Sequence, residues 1–303
     1  VTGDDVLIER ITFRNFNLTT DNGGVIYWTG NNGILRNSNF INNNAIDGGA
    51  ISWSGSNGTI ISSTFTNNTA KNGGAISWSG SNGTITGCAF TSNNSTIGNG
   101  GAIDWGGING IITSSNFTRN DAVNAGSINL WGTNDLITNC IFTKNSAKNT
   151  AGAVSWGGPN SLIIGCTFIS NTANRAGGVY YNGINSKIID CIFINNTATN
   201  GYGGAVLFDW RSNNTSILDS TFEGNSAQNG GGAVFWSGTA SMINCTFSSK
   251  WIESNGIRIG NSLTINGGKG IVDIKYGSTA NTLSGISIVV LNNETYYYPP
   301  NTN

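Results

Sequence analysis

One motif recurs through most of this chain and limits what it can fold into. A Gly-Gly-Ala-Ile-Ser-Trp segment begins, in varied form, at Gly23, Gly48, Gly73, Gly100, Ala125, Ala151, Gly177, Gly203 and Gly231, at intervals of 25 to 28 residues. A second marker, Phe-x-x-Asn, starts at Phe40, Phe65, Phe90, Phe117, Phe142, Phe168, Phe193 and Phe222. A period near 26 without heptads or long apolar runs at helical spacing excludes helical repeats. A propeller blade needs roughly 40 or more residues. The remaining solution is an all-β solenoid, a parallel β-helix of nine to ten coils with about 26 residues and three short strands in each.

Aligned on the phenylalanine, each column has a physical task. Five residues earlier stand Leu35, Ile60, Ile85, Ile112, Ile137, Ile163, Ile188, Ile217 and Met242, all apolar. Two residues earlier every coil has Ser or Cys, as in Ser38, Cys88 and Cys140. Strict alternation would send these columns to opposite faces. Between them lie Asn37, Ser62, Gly87, Ser114, Asn139, Gly165, Asp190, Asp219 and Asn244, residue types that tolerate or favour left-handed backbone. A one-residue bend there lets both columns face inward. The third strand is the Ile-Ser-Trp segment. The Asn of Phe-x-x-Asn is expected to bond its neighbours along the stack.

Composition narrows the chemistry. There is no histidine, and charged residues make up only 10% of the 303. Serine, cysteine and zinc hydrolases of ordinary design are thereby disfavoured, and so is an electrostatic nucleic-acid footprint. No segment approaches 18 consecutive apolar residues, so no transmembrane segment is expected. No Cys-x-x-Cys metal spacing occurs, and neither a metal nor another cofactor is expected. Five cysteines, all in the slot otherwise held by Ser, read as buried free thiols. The opening Val-Thr-Gly and closing Tyr-Tyr-Tyr-Pro-Pro-Asn-Thr-Asn read as the ends of a processed piece of a longer chain.

Gly-Gly-Ala-Ile-Ser-Trp with Phe-Thr-Asn-Asn at this period resembles the repeats of chlamydial polymorphic outer-membrane proteins. The fuller cassette, Gly-Gly-Ala-Ile-Ser-Trp-Ser-Gly-Ser-Asn-Gly-Thr-Ile followed by Cys-Thr-Phe-x-x-Asn-Thr-Ala, is similar to adhesin-like surface proteins of methanogenic archaea. The likeness covers residues 23–247 well and residues 1–22 loosely, since Phe13 is followed by Phe16 where Asn would stand. It implies a right-handed, pectin-lyase-like parallel β-helix and an extracellular, cell-surface adhesin. Residues 1–249 form the β-helix in this reading. Residues 250–303, where Phe247 is followed by Lys250 instead of Asn, form irregular β-rich coils or a cap that leads into a linker.

Several residues invite a functional reading. Trp28, Trp53, Trp78, Trp105, Trp156 and Trp236 lie two positions after the inward Ile or Val, so a core wall is the default and a sugar-stacking stripe the alternative. The slot between, expected outward, runs Tyr27, Ser52, Ser77, Asp104, Asn129 and Ser155, then Tyr181, Leu207 and Phe235. With Trp210, and Tyr202 nearby, those last three make an apolar patch suited to a ligand or partner, unless residues 250–303 cover it. Asp190 and Asp219 stack on adjacent rungs but share the bend column, so turn chemistry accounts for them. Asn-x-Ser/Thr sites in loops, namely Asn57, Asn67, Asn82 and Asn213, are candidate glycosylation points.

The expected function is a non-enzymatic surface adhesin or stalk that binds cell-surface glycans or proteins of other cells. A structural protein that self-associates into a fibre or envelope layer is the alternative, permitted by a net charge of −1. A β-helix polysaccharide lyase or hydrolase comes third.

Overall fold

The computed structural model describes residues 1–229, 231–236 and 240–248, together with the backbone of five later strands at 256–259, 263–270, 273–276, 288–291 and 294–297. The chain winds into a parallel β-solenoid. Coils are numbered here by the strand that follows each Gly-Gly turn, coil 1 holding Ile26–Trp28 and coil 9 Val234–Trp236. These strands stack in one parallel sheet, the ring sheet, with Ile51 opposite Ile76 and Trp53 opposite Trp78. The other two strands of each coil, such as Thr59–Ile61 and Thr64–Thr66, build a bent sheet, in which Phe65 pairs with Phe90. The loop that closes a coil also pairs from coil 2 onward, in strands as short as Thr69–Ala70.

The bend is where the residue types place it. Asn37, Ser62, Ser114, Asn139, Asp190 and Asp219 have φ between 47° and 53°, and Gly87 and Gly165 have 63° and 62°. Each of coils 1–8 has three more such corners: the Asn of the turn after the ring strand, the residue two after the Phe, and the residue before the Gly that opens the ring strand. Left-handed backbone costs an ordinary residue about 1–2 kcal/mol. Asn and Gly at the corners, as at Asn57 (φ 56°) and Gly48 (φ 64°), keep that cost low.

Stacking turns identity into packing. The rings of Phe40, Phe65, Phe90, Phe117, Phe142, Phe168, Phe193 and Phe222 form one column with centroids 4.7–5.0 Å apart and planes within 9° of parallel. Trp28, Trp53, Trp78 and Trp105 stack likewise at 4.1–4.6 Å and are buried, as is Trp156, so the tryptophan column is a wall of the core. Their rings lie over glycine. A Cβ at Gly33, Gly58, Gly83 or Gly110 would sit 2.3–2.7 Å from the indole of its own coil.

Two asparagine ladders run in opposite senses. In the buried one, Oδ1 of Asn68 accepts both the backbone and side-chain N–H of Asn43, while its Nδ2 donates to Phe40 O and Asn93 Oδ1. Its amide donors point up the stack. In the exposed turn ladder they point down: Asn82 Nδ2 donates to Asn57, Asn57 to Asn32, and Asn32 to Asp5, an acceptor-only carboxylate at the foot of the ladder. All five cysteines are buried free thiols, and burial pushes Cys88 up to about 12.

Beyond coil 9 the strands Gly256–Ile259 and Leu263–Gly270 continue the parallel ladders, and Ile288–Leu291 pairs antiparallel with Glu294–Tyr297. How the expected cap over 250–303 is built otherwise lies outside the described residues.

Candidate functional site

The outward columns of the ring sheet are uniform in coils 2 and 3 and change character from coil 4. The column opposite the inward Ile and Trp reads Ser52, Ser77, Asp104, Asn129, Ser155, Tyr180, Leu207, Phe235. Tyr180, not Tyr181, holds the outward slot in coil 7. The Gly-Gly at 177–178 imitates the opening of a coil, yet the left-handed corner is Ala176 (φ 57°), in line with Ala125 and Ala151. The coil begins one residue earlier than the expected Gly177. Tyr181 therefore sits in the ring column, opposite Trp156 and Phe208, and is 3% exposed.

The expected patch of Tyr181, Leu207, Trp210 and Phe235 is thus not one surface. Tyr181 belongs to the core. Leu207 points outward but is fully buried between its rung neighbours Tyr180 and Phe235. Phe235 is half-buried, and its ring stacks at 4.5 Å on Tyr202, which comes from the preceding loop. Trp210 alone of the four is open to water, at 63%.

Around Trp210 the structure gathers residues that are distant in the repeat alignment. The Arg211 guanidinium lies 4.8 Å from the centroid of the Trp210 ring, and that of Arg175 lies 5.9 Å from the centroid of Tyr180. The Tyr180 hydroxyl donates a short hydrogen bond to Oδ2 of Asp209, whose Oδ1 accepts the Trp210 N–H at 2.6 Å. Burial, then the Asp209 hydrogen bond and charge, hold the Tyr180 phenol well above its usual range; Arg175 and Arg211 pull it the other way. This hydroxyl stays protonated at physiological pH and acts as a donor.

A second indole stands lower on the same face. In coil 5 the ring slot holds Leu130, and Trp131 follows it, 59% exposed. On the rungs below and above Trp131 the equivalent residues are Gly106 and Gly157, because Trp131 N–H reaches Trp105 O and Gly157 N–H reaches Leu130 O. The indole lies against Gly157, where a Cβ would meet it at 3.3 Å. Trp131 also hydrogen bonds to Asp104, which receives Asn129 Nδ2 at 2.7 Å. Burial raises Asp104 to about 6, with those two hydrogen bonds opposing and Asp47 adding to the rise.

Coil 5 is altered inside as well. Where the lower coils have glycine beneath an indole, this one has Asp135 in the room left by the smaller Leu130. Asp135 is 2% exposed; its Oδ1 accepts Gly110 N–H at 2.7 Å and its Oδ2 has no partner. Burial raises it to about 7, against the Gly110 bond.

The other candidate residues fall elsewhere. Asp190 and Asp219 are bend residues with φ 52° and 49°. Asn57 and Asn82 commit their side-chain amides to the exposed ladder, so a glycan on either would break a rung. Asn67 is exposed at a corner (φ 54°), and Asn213 is exposed with Nδ2 reaching Arg211 O at 3.4 Å. Sequence reasoning missed Tyr180, Arg175, Asp209 and the placement of Trp131. The available signal was the left-handed corner column, which places Ala176 level with Ala125 and Ala151 and moves Tyr180 outward.

A solenoid of stacked parallel coils with inward ring ladders defines the class, and family comparison agrees. The right-handed β-helix family model matches residues 74–248, more than half of the chain, and the chain belongs to that family. A repeat of the Chlamydia polymorphic membrane protein matches residues 62–77. No curated protein matches the chain. Among solved structures, it is similar to alginate lyase AlyF-OU02 in complex with G6, at 13% identity and TM-score 0.43, covering 98% of this chain and 86% of the other. A PL6 alginate lyase bound to a trisaccharide matches at 11% identity and TM-score 0.37, covering 98% and 85%.

Proposed function

We propose that this chain is the rod of a non-enzymatic, extracellular surface adhesin. In this reading it offers the outer face of coils 5–8 to glycans or proteins on other cells. The observation that carries it is the pair of exposed indoles, Trp131 and Trp210, each seated on a sheet face whose outward column is serine in coils 2 and 3. Exposed, pre-positioned aromatic rings bordered by arginine are what contact surfaces use as anchors. The polymorphic membrane protein repeat supports a surface setting. The test is adhesion of protein-coated beads to cells. Trp131→Ala with Trp210→Ala should abolish attachment while leaving the circular dichroism spectrum unchanged, and unaltered attachment would sink the assignment of this face. The same protein incubated with a panel of acidic polysaccharides should release no unsaturated or reducing sugars; release would overturn the non-enzymatic reading.

A second reading, side-by-side association of rods into a fibre or layer, is favoured by one observation. The outward residues of the bent sheet, largely threonine in coils 2 and 3, become Leu162, Ile164, Ile169, Ile189, Ile192 and Ile194 in coils 6 and 7.

A further inference from the structure

We infer that the face between Trp131 and Trp210 takes a single oligosaccharide strand lying along the rod axis, with a sugar carboxylate held at coil 8. This rests on the reading of that face as an adhesive surface and names what it would adhere to.

Among the described residues the ion pair present is Arg36 with Glu9, far down the stack. Arg175 and Arg211 instead lie over the rings of Tyr180 and Trp210. Among the described residues the carboxylate beside them, Asp209, spends its oxygens on neutral donors, the Tyr180 hydroxyl and the Trp210 backbone N–H. Both guanidiniums therefore keep their planar donor forks unspent among the described residues, and such forks match a carboxylate bidentately. A ring packed on one side of each guanidinium fixes its plane and lowers the ordering cost of binding.

Trp131 follows the ring strand of coil 5 and Trp210 that of coil 8. Three rungs at ~4.8 Å each separate them by about 14 Å along the axis, roughly the span of three to four pyranose rings. Between them the column beside Trp131 holds Gly157 and Asn182, a smooth floor with one amide. An apolar sugar face can stack on each indole while the strand crosses that floor. A protein partner would need a broader apolar anchor, and Leu207 is closed to it. A terminal acidic sugar would use Arg211, Arg175 and Trp210 but gain nothing from Trp131.

The experiment is titration of the full chain, followed by tryptophan fluorescence and calorimetry at low salt. The probes are a uronic-acid hexamer, its carboxyl-reduced hexamer, the uronic-acid dimer and a sialyl-trisaccharide. The acidic hexamer should bind at least tenfold tighter than the reduced one, and Arg211→Met or Arg175→Met should remove most of that ratio. Trp131→Ala should weaken the hexamer about tenfold and leave the dimer unchanged. Equal affinity for acidic and reduced hexamers overturns the carboxylate assignment. Sialyl-trisaccharide binding as tight as the hexamer's, or indifference to Trp131→Ala, overturns the strand. Coated beads that still attach through this face while the acidic sugars fail to bind would sink this inference alone; beads that do not attach sink the adhesive reading itself.

Discussion

Coils 1–4 and coils 5–8 share one backbone plan and use it differently. In the lower half the ring column is an unbroken indole stack with glycine under each ring. In the upper half the same column reads Leu130, Trp156, Tyr181, Phe208, with Trp156 and Tyr181 tilted by 39° and centroids 6.3 Å apart. The glycine slot becomes Asp135, Ser161 and Ser186, and outward positions acquire Trp131, Tyr180 and Trp210. Copying a rung satisfies the stack on its own terms, because each coil needs only to fit the one beneath it. A departure has to be compensated within its own coil or by a neighbour, and those compensations are where binding residues find room.

The sharpest break of this contrast is a methyl group. Gly83→Ala in the lower half places a Cβ 2.5 Å from Trp78 and 2.8 Å from Trp105. Neither indole can retreat within a packed stack, so the variant should lose about 3 kcal/mol or more, at the upper end of overpacking costs. At the equivalent slot in coil 7, Ser186→Ala should cost only about 1 kcal/mol, the value of the bonds Ser186 makes to Ser161 N–H and Ile184 O. Denaturant melts of both variants check the difference, and equal losses would mean that the two halves are packed alike.

The two ladders offer a second comparison. Asn93→Ala removes a fully buried amide that accepts from Asn68 twice and donates to Phe65 O and Asn120, and should cost about 2–3 kcal/mol. Asn82→Gly in the exposed ladder keeps the left-handed corner (φ 55°) and should cost under about 1 kcal/mol, since water replaces both partners.

Asp135 adds a pH signature that belongs to coil 5. An ordinary unfolded aspartate titrates near 3.9, and burial raises this one to about 7. The folded chain then holds the proton more tightly than the unfolded chain. Its stabilising contribution is present in full below about pH 4, falls as pH rises to about 7, and is flat above. The loss should be on the order of a few kcal/mol. Asp104, raised to about 6, adds a fall of its own up to that pH. Asp135→Asn should therefore shrink the drop in melting temperature between pH 4 and pH 8 without abolishing it, and should raise the melting temperature at pH 8. A wild type equally stable at pH 4 and pH 8 would show that this carboxyl is solvated.

Much of the architecture was legible because a solenoid writes the same instruction in every coil. Residues that differ in identity but agree in type, such as Asn37, Gly87 and Asp190, revealed the bend. The Phe column and the Asn ladder followed from strict spacing. What escaped was specific to one coil. Ala176 takes a left-handed corner that glycine fills in the lower coils, so the Gly177–Gly178 pair drew the register off by one and exchanged Tyr180 for Tyr181. Leu207 is buried among Tyr180, Phe235 and the stacked Tyr202, partners that lie on neighbouring rungs and in a loop. Nor does alternation show that Asp135 fills the space left by Leu130, because that exchange joins two columns.

The smallest expected effect on stability separates the halves on their bent sheets. Thr84, Thr86 and Thr91 face out in coil 3, while Leu162, Ile164 and Ile169 occupy the same slots in coil 6. Ile164, Ile169, Ile189 and Ile194 are half-buried by their own rung neighbours, so changing Ile164, Ile189 and Ile194 together to threonine keeps the β-branched fit of the strand. Each substitution should alter monomer stability by no more than about 0.5 kcal/mol. The triple variant should nevertheless remove any concentration-dependent growth in mass that wild type shows by sedimentation, since those columns supply the apolar surface for rods to meet side by side. If variant and wild type assemble alike, these columns serve only the strands they belong to, and the upper half departs from the lower on its ring-sheet face alone.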